Sequence, residues 1–114
     1  MNAVRQAIRV ISDRGMAKGI SEDADGRVCV GGAISIALSG HPSDWFSDDF
    51  SLAMRAVSDV AIEQYPERQQ SFDDELVAPA WWGAKTFNNH PATTSDELIR
   101  VMDKASVRLD EVLV

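Results

Sequence analysis

Apolar side chains recur along this chain mainly at spacings of three and four. Between Ala3 and Arg14, the residues Val4, Ala7, Ile8 and Ile11 share one stripe, which predicts an amphipathic helix. Gly15 follows, a residue that readily takes the left-handed backbone that ends helices. The chain then turns polar from Met16 to Arg27, and Asp25-Gly26 signals a turn. Phe50, Met54, Val57, Ala61 and Tyr65 mark a second helix over Ser47 to Tyr65. Ser47 suits its N-cap, Asp48 and Asp49 fall in a first turn that favours negative charge, and Pro66 ends it. The strongest pattern is the last. Thr94-Ser95-Asp96-Glu97 reads as a capping box, followed by the stripe Leu98, Met102, Ala105, Leu109 and Val112.

Two stretches are harder to read. Val28 to Leu38 is apolar enough for a buried element: Arg-Val-Cys-Val could open a strand, while Cys29, Ala33, Ile36 and Ala37 suit a helix. Gly31 and Gly32 each cost a helix about 1 kcal/mol relative to alanine. A buried helix packed closely by another helix would tolerate them, and Ser39-Gly40 with Pro42 would end it. Glu67 to Asp74 is polar, and Glu75 to His90 holds Pro79, Gly83 and the pair Trp81-Trp82, with a short helix expected over 81–87. The expected fold is all-α, a compact single-domain bundle of four to five helices spanning residues 1–114.

Composition changes this picture little. The 114 residues are 45% hydrophobic and 25% charged, with a mean hydropathy of −0.16, which excludes collagen-like and largely disordered classes. Charge is more informative. The net charge is −7 and the sequence pI about 4.6, which argues against binding a nucleic-acid backbone directly. Residues 1–40 carry a net +1 and residues 81–114 a net −1, so the acidity lies in residues 41–80. There Arg55 and Arg68 face nine acids: Asp44, Asp48, Asp49, Asp59, Glu63, Glu67, Asp73, Asp74 and Glu75. Such a segment is either a solvated face or a docking face for a basic partner. One cysteine, no apolar stretch of membrane-spanning length and Arg5 and Arg9 near the start predict a cytoplasmic protein without a signal peptide.

Two motif-like stretches carry a family resemblance. The first runs Gly15-Met16-x-Lys18-Gly19, then Asp25-Gly26-Arg27-x-Cys29-x-x-Gly32-Ala33-Ile34-x-x-Ala37. The second is Phe87-Asn88-Asn89-x-Pro91-x-Thr93-Thr94-x-x-Glu97-Leu98, leading to Asp103 and Ala105. Together they resemble a family of small uncharacterised proteins from actinobacteria and their phages, whose members carry Cys-x-x-Gly-Ala and Trp-Asn-Asp before Thr-x-x-Glu-Val. Met16 and Phe87 stand here where that pattern has Trp, and Asn89 where it has Asp. The resemblance covers both ends of the chain and little of residues 41–80. It implies an origin and an architecture, not a reaction.

No constellation in the sequence commits to catalysis. Cys29 could act as a nucleophile with His41 or His90 as base, but its apolar neighbours read as core. Cys29, His41, His90 and scattered carboxylates lack metal-ligand spacing, and Gly31-Gly32 lacks the residues of a phosphate loop, so neither metal nor cofactor is expected. Asn88 and Asn89 could read a ligand, though asparagines before a capping box more cheaply lock a loop. Trp45-Phe46 and Trp81-Trp82 cannot each send both side chains into one core. Trp45, Trp81 and Trp82 with Asp44, Asp48 and Asp49 are therefore the candidate partner-binding residues, within segment 41–82. The expected function is a non-enzymatic acidic interaction protein, with a phage or prophage product binding a host protein as the form that the resemblance suggests. The alternatives are a nucleic-acid mimic and a small cysteine- or histidine-dependent hydrolase. Homodimerisation through the seam of residues 98–112 competes with packing of that seam on the first helix.

Overall fold

A computed structural model of the protein describes residues 2–69 and 81–113, with the side chains of residues 112 and 113 outside that description. Five α-helices make up the described fold: α1 (Ala3–Arg14), α2 (Val30–Ser39), α3 (Asp48–Gln64), α4 (Trp82–Asn89) and α5 (Ser95–Leu113), with a 3-10 turn at Pro66–Arg68. Among the described residues there is no strand, and the all-α reading holds.

Each stripe seen in the sequence becomes a buried face. Val4, Ala7 and Ile11 of α1, Phe50, Met54, Val57 and Ala61 of α3, and Leu98, Met102, Ala105 and Leu109 of α5 all join one core. α1 packs on α2 and α5, and α3 packs on α4 and α5. From Leu98 to Leu109 the α5 seam is thus covered by its own chain. Asn2 ties the two ends of the fold together: its Oδ1 accepts from Arg5 N–H and caps α1, while its Nδ2 donates to Ser106 O and Asp110 Oδ1, each at 2.9 Å. The expected capping box forms, with Glu97 N–H donating to Thr94 Oγ1 at 3.2 Å and Thr94 N–H to Glu97 Oε1 at 3.0 Å.

The ambiguous stretch resolves as the helix, preceded by isolated bridges rather than a strand. Val28 makes isolated bridges to Met16 and Glu22, and the helix begins only at Val30. The reason for the two glycines differs from the expected one. The atoms nearest a Cβ at either position belong to no helix. A methyl on Gly31 would meet the Trp45 ring at 2.5 Å, and one on Gly32 would sit well under 3.0 Å from the Ser21 carbonyl oxygen. A side chain and a loop backbone, not a neighbouring helix, exclude the Cβ. The short helix α4 starts one residue later than expected and runs two further, to Asn89. Asp73, Asp74 and Glu75 lie outside the described residues.

Candidate functional site

The loop joining α2 to α3 is pinned from below. Gly40 takes a left-handed φ of 84° and caps α2. The Ser35 hydroxyl, fully buried on α2, donates to His41 O and accepts from Asp44 N–H at 2.8 Å. Trp45 Nε1 donates to Pro42 O at 2.8 Å, and its ring fills the space beside Gly31. That ring stacks on Phe50 with centroids 5.3 Å apart and meets Trp81 edge-on at 5.8 Å. Edge-to-face and offset pairs of this kind add about 0.5–1.5 kcal/mol each beyond burial.

With Trp45 turned inward, its neighbour Phe46 is turned out and is 97% exposed. Around it stand Asp44, Asp48 and Asp49, all exposed. Ser47 Oγ caps α3 by accepting from Phe50 N–H at 3.0 Å, which fixes the two aspartates on the first turn. Two shallow grooves flank this corner, of about 320 and 170 Å³. The first is lined by Leu38, Asp44, Phe46 and Asp49, the second by Leu38, Asp49, Leu52 and Leu109. Leu38 and Leu52, 38% and 53% exposed, link them into one apolar strip with a carboxylate rim.

The six candidate residues therefore divide. Asp44, Asp48 and Asp49 share the Phe46 corner. Trp45 and Trp81 are half-buried and form the wall behind it. Trp82 packs beside Trp81, with ring centroids 6.0 Å apart, and carries Lys85 Nζ over its own ring at 4.6 Å. Phe46, Leu38 and Leu52 complete the corner, and the sequence signal for Leu52 was its place off the α3 stripe. The remaining described acids are spread: Asp59 and Glu63 sit farther along α3, Glu63 pairs with Arg108 at 2.5 Å, and Glu67 is on the 3-10 turn. Arg55 interrupts the exposed face between Asp48 and Asp59.

The motif residues meet at a second place. Cys29 is the N-cap of α2; its Sγ accepts from Gly32 N–H at 3.3 Å, and burial pushes the thiol up from its ordinary value. His41 follows the other end of α2, a helix of ten residues and so about 15 Å long. Asn88 is fully buried: its Oδ1 accepts from Val30 N–H at 2.9 Å and its Nδ2 donates to Ala17 O at 3.0 Å. Asn89 Oδ1 accepts from Gly19 N–H at 2.9 Å, and Lys18 Nζ donates to His90 O and Thr93 O. Both asparagines are thus loop locks. Among the described residues no three His, Cys, Asp or Glu side chains converge.

Glu97 anchors this region to the 3-10 turn. It accepts from Arg68 Nη1 at 2.9 Å, and the Arg68 guanidinium, with the Thr94 amide, holds its carboxyl down to about 2. A depressed carboxylate stabilises the fold above its unfolded value near 4.5, and that contribution is lost as pH falls toward 2. Between about pH 5.5 and pH 2.5, the urea midpoint of the wild type is expected to fall more steeply than that of Glu97→Gln. Parallel slopes would show the pair to be energetically silent.

The described residues form a small all-α domain of five helices. The chain belongs to a family of unknown function (DUF6197), whose model matches residues 2–108. No curated protein and no solved structure matches it significantly. No described helix is long and apolar enough to cross a membrane.

Proposed function

We propose that this protein is a non-enzymatic interaction protein that docks a basic partner on the corner formed by Phe46, Leu38 and Leu52 and rimmed by Asp44, Asp48 and Asp49. One observation carries the reading: a phenylalanine 97% exposed on a loop that hydrogen bonds and a half-buried tryptophan pin in place. Burying a phenylalanine is worth about 1.5–3 kcal/mol, and a preorganised loop loses little entropy on binding. Carboxylates around an apolar anchor select a partner with Lys or Arg flanking a hydrophobic residue. A phage or prophage origin, which the sequence resemblance implies, would make that partner a host protein. A cytoplasmic location agrees with the lone thiol of Cys29.

Affinity capture from an actinobacterial lysate, followed by titration of the recovered protein, tests this reading. Phe46→Ser is expected to leave the melting temperature nearly unchanged, because an exposed side chain contributes within about 0.5 kcal/mol. The same change should weaken the partner about 30-fold or more, as should Asp48→Lys with Asp49→Lys. Undiminished binding by both variants would remove this corner from the function.

A further inference from the structure

A groove of about 380 Å³ lies on another part of the surface, between the 3-10 turn and α4, and shares no residue with the grooves beside Phe46. Its walls include Glu67, Arg68, Trp82, Lys85, Asn89 and His90. A volume of this size is within the range of small-molecule sites.

The hydrogen bonds already made around the groove determine what its polar groups can still offer. Asn89 Oδ1 accepts from Gly19 N–H and from Asn88 Nδ2, so the remaining group of that side chain is its NH₂, a donor. His90 Nδ1 accepts from Ala92 N–H at 3.1 Å, which leaves Nε2 as the protonated nitrogen of the neutral ring. Lys85 makes no ion pair with any described carboxylate; its ammonium lies over the Trp82 and Trp45 rings at 4.6 and 5.6 Å. Arg68 reaches Thr93 and Glu97 through Nη1 alone, and its guanidinium is held over the Tyr65 and Phe87 rings at 4.7 and 5.8 Å. Four residues with donors left on their side chains thus line one groove in a chain whose net charge is −7. Glu67, exposed at the rim, and Glu97, paired with Arg68, are the opposing charges.

We infer that this groove binds a small phosphate monoester carrying a planar ring, of the nucleoside monophosphate class, with Lys85, His90, Asn89 and Arg68 donating to the phosphate and Trp82 packing against the ring. Donors from several directions suit the three terminal oxygens of a phosphate better than the two of a carboxylate. The aromatic wall supplies the contact that a free phosphate cannot use. The Lys85 ammonium, already stripped of part of its water by the indoles, attracts an anion more strongly than a fully hydrated surface lysine does.

Titration of the full chain with AMP, adenosine and inorganic phosphate, followed by calorimetry and by the ¹⁵N amide spectrum, tests this. AMP is expected to saturate with a dissociation constant of about 0.1 mM or below and to shift amides of residues 66–69 and 82–91. Adenosine and phosphate should each bind about tenfold more weakly or not at all. Lys85→Met should weaken AMP about tenfold, and Glu67→Gln, on the exposed rim and harmless to the fold, should tighten it about twofold. The inference is overturned by an absence of saturation in the millimolar range, or by adenosine or phosphate binding as well as AMP. Amide shifts confined to other residues, or wild-type affinity in both variants, would overturn it equally.

Discussion

Gly32→Ala is expected to destabilise the protein by about 3 kcal/mol or more, lowering Tm by on the order of 10–20 °C in a domain of this size. The added methyl would overlap the carbonyl oxygen of Ser21, a backbone atom rather than the end of a flexible side chain. That carbonyl cannot swing away freely, because it accepts from Cys29 N–H at 3.2 Å. The loop carrying it is also tied down on its other side, through Lys18 to His90 and Thr93 and through Gly19 to Asn89. Relief of the overlap therefore requires either breaking the Cys29–Ser21 bond or tilting the first turn of α2. Alanine is the better helix former by about 1 kcal/mol, so a purely local view of α2 would predict the opposite sign. Thermal melts followed by circular dichroism decide between the two. A variant melting within about 2 °C of the wild type would show that the loop yields cheaply.

Asn88→Ala is the second large effect, expected at about 2–5 kcal/mol. The side chain is fully buried and joins segments 58 and 71 residues away in the chain. Its removal leaves the Val30 amide, one of the unpaired donors at the start of α2, and the Ala17 carbonyl without partners. Each such buried orphan costs about 1–3 kcal/mol. Two-state unfolding in urea measures the sum, and hydrogen exchange locates it. The Val30 amide should exchange faster in the variant even under conditions where the core helices remain protected. An unchanged urea midpoint would mean that water replaces the amide without loss.

The helices were legible in proportion to how far local chemistry decides them. The α5 boundary rests on Thr94 and Glu97, three residues apart, so the capping box could be read before any tertiary contact was known. The stripes of α1 and α3 were equally plain, because an amphipathic face has a fixed period. Gly31 and Gly32 mark the limit of that approach. Their spacing announced a close approach, but what approaches comes from Trp45 and from Ser21, and no period connects those to α2. The Trp45-Phe46 pair shows the same boundary at the candidate site. Adjacent side chains had to diverge, yet loop residues have no periodicity to say which turns inward. The Ser35 hydrogen bonds and the gap at Gly31 decide it, placing the larger ring inside and leaving phenylalanine on the surface.

All three tryptophans, Trp45, Trp81 and Trp82, lie in one chain of ring contacts, with Trp81 5.8 Å from Trp45 and 6.0 Å from Trp82. Indoles this close exchange excitation energy, so emission from the whole protein reports on one corner of the bundle. The tie by which Asn2 fastens α1 to α5 contains no indole of its own. Tryptophan emission therefore views the aromatic corner, whereas far-ultraviolet ellipticity sums over all the helices. Coincidence of their unfolding curves would establish that the aromatic corner and the tied termini melt as a single cooperative unit.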